Sequence, residues 1–357
     1  MKKILLASVA LTAFAGAAAA EVSFSVDGAM GHVSNNATAA NNGMYWNADL
    51  NVALSQELDN GVTAAAGMTF SFVDNNQGNT NAVDALSVDD NWKVSLSSEM
   101  GSIVFGDTEF AAVSAWASAG DMANDGFREI AANGTNLKGT INYGQVSAAV
   151  SYDATAGQDL GTSDFGITAD LGSATAVVAY QEGVANGIDE LLGVSVATSV
   201  SGADITVAYA SNETDNTDST GIKVGYSFGD VKATAFFVNE SAQADGQGIT
   251  LDYASGPVAL QAFYADVNSL VETRVQGSYD LGNGLVITAG SIDGDSTTDD
   301  DFANYVVAEY DLGGGATLLA SFADGAAGTS AAGSTDIDTF GGYELNDGTT
   351  IELSFAF

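Results

Sequence analysis

Apolar and polar residues alternate along many short stretches of this chain. From Ile351 to Phe357 every second residue is apolar or aromatic, and the residues between them are small or polar. Successive side chains of a β-strand point to opposite faces, so this alternation predicts a strand with one apolar face. The same pattern runs through residues 44–58 and 62–72, which an Asp-Asn-Gly sequence separates. Because that sequence is typical of a hairpin turn, we predict antiparallel strands.

A unit of strand, tight turn, strand and longer polar loop recurs along the chain. The tight turns contain glycine, as in Tyr143-Gly144-Gln145, whereas residues 212–220 and 293–301 are rich in Asp, Asn and Thr and are predicted loops. Short turns on one side and longer loops on the other are typical of outer-membrane barrels. We count about twenty segments and interpret Asn346-Asp347-Gly348 as a kink in the last strand, which keeps the number even.

The N-terminal residues predict export of the chain. Lys2 and Lys3 precede an apolar run that ends in three alanines, an order typical of a cleaved secretory signal peptide. We therefore expect residues 1–20 to be removed and residues 21–357 to form a single barrel domain. No later stretch of 18 apolar residues predicts a membrane-spanning helix.

Charge and composition narrow the function. The chain has 46 Asp and Glu against eight Lys and Arg, a net charge of −38, which argues against binding to nucleic acid. His32 is the only histidine, so the chain cannot contain both a histidine-based catalytic triad and a metal site with a second histidine. The sequence also lacks a glycine-rich phosphate loop and a G-x-S-x-G elbow. We therefore expect that the protein is not an enzyme.

Four pieces of the sequence resemble the general porins of Rhodobacter-type bacteria: residues 21–31, 101–111, 310–324 and the terminal Ser-Phe-Ala-Phe. The resemblance implies an outer-membrane channel for passive diffusion of small hydrophilic solutes, assembled as a homotrimer. It also implies a long third loop, residues 107 to about 136, that folds into the lumen. The fold class is then all-β, a closed antiparallel transmembrane barrel with sixteen strands by resemblance and up to about twenty by segment count.

Charged residues predict the site. The third loop carries acidic residues that would form an acidic pore constriction, and confined acids favour cations. The early-strand positions Ala29, Asp49 and Asn51 hold none of the basic residues that such porins carry there. Five basic residues fall on the polar phase of their strands, hence toward the lumen. The predicted constriction comprises Asp107, Glu109, Asp121, Asp125, Arg128 and Glu129, and the lumen-facing basic residues are Lys93, Lys138, Lys223, Lys232 and Arg274.

Two further predictions concern partners. Phe355 and Phe357 resemble the C-terminal signal by which outer-membrane barrels are recognised by the barrel assembly machinery and inserted into outer-membrane lipid.

The acidic loop at 293–301 is a weak calcium candidate, but it lacks the EF-hand spacing, so we favour a solvated loop and no cofactor. The alternative function is a secreted or surface-exposed acidic β-rich protein that binds calcium or acts as an adhesin. The calcium candidates are Asp293, Asp295, Asp299 and Asp301.

Overall fold

The computed structural model describes most of the chain after the predicted signal peptide. The described residues are 20–34, 42–75, 87–88, 91–129, 134–154, 161–183, 187–293, 302–325, 336–338 and 344–357. Residues 1–19 and the predicted calcium candidates Asp295, Asp299 and Asp301 lie outside them. Where the chain is described, no helix has the length and apolar character needed to cross a membrane.

Strands account for almost all of the regular structure. The single helix described, α1, is a short segment at Ala111–Ala115. The strands are β1 Glu21–Ser34, β2 Gly43–Glu57, β3 Thr63–Asn75, β4 Ser87–Val88, β5 Lys93–Ser98, β6 Gly101–Gly106, β7 Asn136–Tyr143, β8 Val146–Asp153, β9 Ser163–Asp170, β10 Ala174–Gln181, β11 Leu191–Val200, β12 Ala203–Asn212, β13 Thr217–Phe228, β14 Val231–Glu240, β15 Gly246–Ser255, β16 Val258–Val267, β17 Leu270–Gly282, β18 Leu285–Asp293, β19 Phe302–Gly313, β20 Ala316–Gly325, β21 Asp336–Asp338, β22 Glu344–Asn346 and β23 Gly348–Ala356.

Twenty of these strands form one closed antiparallel barrel. Each pairs with its neighbours in chain order, except that β23 follows β20 and then pairs with β1. The two-residue β4 adds to β3, and β21 pairs with β22 in a separate hairpin. The predicted closed antiparallel barrel is confirmed, and its strand number is the upper end of the predicted range.

The seam between β1 and β23 closes the sheet at the end of the chain. The backbone N–H of Phe357 donates to the carbonyl of Val26 at 2.8 Å, and the N–H of Val26 donates back to the carbonyl of Phe357 at 3.0 Å. The rings of Phe355 and Phe357 stack with centroids 5.5 Å apart. Both terminal strands are therefore hydrogen-bonded on two sides, and the barrel has no open edge at the seam.

The connections alternate between short turns on one side, the turn side, and mostly longer segments on the other, the loop side. One predicted loop is shorter than expected, because only residues 213–216 of 212–220 connect β12 to β13. Its polar residues extend the strands since Thr217 and Ser219 hydrogen-bond to groups inside the barrel. The predicted kink within the last strand is not observed, because a bend at Asp347 separates β22, which pairs with β21 in another sheet, from the last barrel strand β23.

The two faces of the barrel wall differ in polarity. On β12 the outward Val207 and Tyr209 are 46% and 42% exposed, whereas the inward Ala208 and Ala210 are buried. The outer face continues as an exposed apolar surface around the barrel, as contact with lipid requires. Exposed aromatic residues lie on this face near the turn side, among them Tyr143, Tyr226, Phe228, Tyr279, Tyr310 and Phe357.

Candidate functional site, a loop inside the barrel

Residues 107–129 of the connection between β6 and β7 lie against the inner face of the barrel, and we name them the inner loop. Its helix α1 contacts β8, β9 and β10. Phe110, Ala111 and Ala119 are fully buried, and Met122 packs with inward side chains of β12 and β14. The predicted third loop folded into the lumen is thus confirmed as part of the fold.

Glycines on inward positions of alternate strands provide the surface on which the inner loop lies. A Cβ added to Gly221 on β13 would come within 2.5 Å of the Ala119 carbonyl oxygen. A Cβ on Gly193 of β11 would collide with the Trp116 ring, and one on Gly166 of β9 would collide with the backbone of α1. Because any side chain at these positions would occupy the space of the loop, the wall is shaped to receive it.

The start of the inner loop is fixed by two buried polar residues of the neighbouring strands. Ser151 Oγ on β8 accepts a hydrogen bond from the backbone N–H of Ala111 at 2.7 Å. Asn136 Nδ2 at the start of β7 donates to the carbonyl of Thr108 at 2.5 Å. Both side chains are fully buried, so these bonds form away from water, where leaving them unmade is costly.

The middle of the inner loop is held by a buried carboxylate. Glu240 on β14 accepts hydrogen bonds from the backbone N–H of Ala123 at 2.9 Å and from Ser219 Oγ at 2.5 Å. Asn124 Nδ2 donates to the same serine oxygen at 2.9 Å, and Asn124 Oδ1 accepts from Thr217 Oγ1 at 2.5 Å. This network connects the loop to two strands through groups that the sequence analysis did not single out.

Arg128 attaches the end of the inner loop to the wall. Its Nε donates to Asp164 Oδ2 on β9 at 3.0 Å, and Nη2 lies 3.0 Å from the same oxygen. The Asp164 side chain is fully buried, and the guanidinium lies 3.8 Å from the ring centroid of Phe110. The backbone N–H of Arg128 also donates to Gln181 Oε1 at 2.8 Å. Arg128 is therefore paired with the wall rather than with the acids of its own loop.

The acidic residues of the inner loop divide into two groups. Asp125 is half-buried and its Oδ2 accepts a hydrogen bond from Trp116 Nε1 at 3.0 Å. Burial raises the pKa of Asp125 above its ordinary value, although the hydrogen bonds from Trp116 and Ser118 oppose the shift. Asp107 is half-buried at the start of the loop. The three acids that remain exposed are Glu109, Asp121 and Glu129.

The five basic residues named from the sequence lie on the inward phase of their strands. Lys223 Nζ donates to the carbonyl of Ser118 at 2.9 Å, and Lys138 Nζ donates to Ser114 Oγ at 3.0 Å, so both contact the inner loop. Arg274 forms an ion pair with Glu272 on its own strand. Lys93 and Lys232 are exposed inside the barrel. That these five basic residues influence the passage of ions through the lumen stays a prediction.

The early strands β1 to β3 form a part of the wall that has no cationic side chains. Residues 21–75 contain no Lys or Arg. On their inward face Asp27 Oδ1 accepts from Asn51 Nδ2 at 2.5 Å, and Asp49 lies opposite Asp27 in the ladder. Tyr45 donates its hydroxyl to Glu352 Oε2 at 2.5 Å. This wall therefore presents carboxylates and neutral groups to the lumen.

No group of three or more His, Cys, Asp and Glu side chains that could hold a metal ion occurs within the described ranges. Of the calcium candidates only Asp293 is described, at the end of β18, where it is exposed. The favoured solvated loop without a cofactor stays a prediction, and so does its weaker calcium alternative.

Comparison with solved structures finds engineered variants of a bacterial porin among the matches. A double mutant of Rh. blastica porin matches with 16% identity and a TM-score of 0.43, covering 94% of this chain and all of that one. A triple mutant of Rhodopseudomonas blastica porin matches with 15% identity and a TM-score of 0.42, covering 94% and 99%. A search of curated proteins finds no match.

A family comparison covers nearly the whole chain. The model described as Gram-negative porin matches residues 7–357, which include every strand of the barrel and the inner loop. Porins are channels of the outer membrane for small solutes, in agreement with the apolar outer face and the polar interior described above. The chain therefore belongs to the family of Gram-negative porins.

Proposed function

We propose that this porin is a diffusion channel for small hydrophilic solutes that prefers cations over anions. The observation that supports the preference is the placement of charge across the lumen. Glu109, Asp121 and Glu129 are exposed on the inner loop, and residues 21–75 of the wall carry no Lys or Arg. Arg128, the basic residue of the inner loop, is paired with Asp164 and adds little free positive charge to the lumen.

The physical basis of the preference is the confinement of these carboxylates. Like charges that line a narrow aqueous passage concentrate counter-ions and repel co-ions. Salt screens the effect, with a Debye length of about 10 Å at 0.1 M and about 3 Å at 1 M. Cation preference should therefore be strong in dilute salt and weak in concentrated salt.

Neutralising the exposed acids of the inner loop tests the preference. The triple variant Glu109→Gln, Asp121→Asn and Glu129→Gln should lower the selectivity for K⁺ over Cl⁻ and leave the channel open, because it removes charge without changing side-chain size. Zero-current potentials of the refolded protein in a planar bilayer, measured across a KCl gradient, report the selectivity.

A matched control removes three exposed acids from the turns instead, with Asp59→Asn, Glu99→Gln and Asp230→Asn. These residues are exposed in turns between strands, so the change in net charge is the same while the inner loop stays intact. The control should keep most of the selectivity. Anion preference in the unmodified protein, or an equal loss in both variants, would contradict the proposal.

We also propose that Phe355 and Phe357 direct insertion of the barrel by the assembly machinery, and that the protein works as a homotrimer in outer-membrane lipid. Deleting Phe357 should reduce the yield of inserted barrel much more than it reduces the heat resistance of barrel already inserted, because the rest of the seam is kept. Heat-modifiable migration on detergent gels measures both quantities. Normal insertion of the shortened chain would show that Phe357 is not a signal.

A further inference from the structure

One part of the inner wall is apolar and dry, away from the inner loop. On β19 the inward Ala303 and Val307 are 0% exposed and Tyr305 is 4% exposed, while the outward Val306 between them is 43% exposed. Ala323 on β20 is also fully buried, and all four inward side chains belong to one apolar cluster. The inward face of a water-filled barrel is ordinarily polar, so a covered apolar wall requires a covering segment.

A residue from outside the barrel strands belongs to that cluster. Leu345 lies on β22 and is 3% exposed among the inward side chains of β18, β19 and β20. β22 belongs to the connection between β20 and β23, of which the structure describes residues 336–338 and 344–347, and we name these residues the closing connection. Since the cluster faces inward, Leu345 can reach it only from the lumen.

Two hydroxyl groups show that water is excluded from the neighbouring wall. Ser321 on β20 and Thr350 on β23 are partners in the ladder, and both point inward. Ser321 Oγ and Thr350 Oγ1 are buried and have no hydrogen-bond partner among the residues that the structure describes. Hydroxyls on an open aqueous wall would be hydrated, because an unmade bond of this kind costs about 1–3 kcal/mol. The cover therefore extends from β19 to β23.

We propose that the closing connection is a second element that narrows the pore, with Leu345 as its anchor on the wall. The inner loop lies against β8 to β14, and the closing connection covers β18 to β20 and β23. The lumen would then be restricted from two directions, with β1 to β7 and β15 to β17 forming the remaining wall. A barrel of twenty strands is wide enough for a second such element. The proposal deepens the channel function, on which it rests.

Thiol labelling in this cysteine-free chain tests the cover directly. Val307→Cys places a thiol on the inward wall, and Val306→Cys places one on the adjacent outward position. In refolded protein a charged, water-soluble thiol reagent should modify Cys at 307 slowly. Adding Leu345→Asp should raise its rate by about tenfold or more, because local opening becomes easier when the apolar anchor is lost. The thiol at 306 should be unaffected by the same change.

The substitution Leu345→Asp could leave the closing connection in place. A second variant, which lacks residues 336–346, removes the segment altogether and should also accelerate labelling at position 307. Fast labelling at 307 with Leu345 present, or labelling that neither change accelerates, would overturn the proposed cover. In planar bilayers the deletion should also raise single-channel conductance, and an unchanged conductance would mean that the segment covers the wall without narrowing the pore. The labelling result does not depend on ion selectivity, so it can fail or succeed independently of the cation preference.

Discussion

Replacing Arg128 with alanine is expected to free the end of the inner loop from the wall, at a local cost of about 3–5 kcal/mol. The reason is the position of Asp164, whose fully buried carboxylate loses its only ion-pair partner in the described structure. A buried charge without a partner destabilises far more than the pair stabilises. Hydrogen exchange of the inner-loop amides, followed by mass spectrometry, should show faster exchange for residues 107–129.

Two further variants distinguish loss of the ion pair between Arg128 and Asp164 from nonspecific destabilisation of the inner loop. Combining Arg128→Ala with Asp164→Asn should restore part of the protection, because removing both partners leaves no buried charge. Arg128→Lys should give an intermediate result, since it keeps the charge and loses the planar fork. Unchanged exchange in Arg128→Ala would show that Asn124 and Glu240 hold the loop without help from Arg128.

Replacing Gly166 with valine is expected to displace α1 from the wall and to lower single-channel conductance. The new Cβ would lie 2.6 Å from Ala115 Cβ and would collide with the carbonyl oxygen of Ala111. Overpacking of this kind typically costs about 1–3 kcal/mol, and the loop can relieve it only by moving into the lumen. The ladder between β9 and its neighbours should remain, so heat-modifiable migration should be unchanged.

Gly139→Val is the matched control for this substitution. Gly139 lies on the adjacent part of the barrel, on β7, and a Cβ there would meet nothing within 4 Å. The control should conduct like the unmodified protein. Equal conductance in both valine variants would mean that the inner loop does not depend on the glycine at position 166.

The fold could be predicted from the sequence to a large extent because a barrel repeats one local rule. Alternation assigns each strand residue to one face, and a glycine turn such as Tyr143-Gly144-Gln145 separates successive strands. Alternation of apolar and polar residues does not reveal a strand where polar residues continue it beyond the apolar outer surface of the barrel. Residues 217–220 look like a loop by composition and form the start of β13, where Thr217 and Ser219 hydrogen-bond to Asn124 of the inner loop.

The site could be predicted only in part, since its contacts join residues that are distant in the sequence. The sequence shows that the inner loop is acidic, and it does not show that Arg128 pairs with Asp164 on β9. The glycines under the loop carry a usable signal, because Gly166, Gly193 and Gly221 recur on the inward phase of alternate strands. Leu345 carries none, since one leucine between polar residues is equally typical of an exposed loop.

The seam between the first and last strands also affects the order of folding. Closing it brings together parts of the chain as distant as Tyr45 and Glu352, which are 307 positions apart. Loop-closure entropy grows only logarithmically with length, so this step costs only about 4 kcal/mol more than closing a hairpin. Until it occurs, β1 and β23 each present an unpaired row of backbone donors and acceptors, a template for association with other chains. The yield of closed barrel should therefore depend on how well these two edges are protected before the seam forms, more than on the final stability of the barrel.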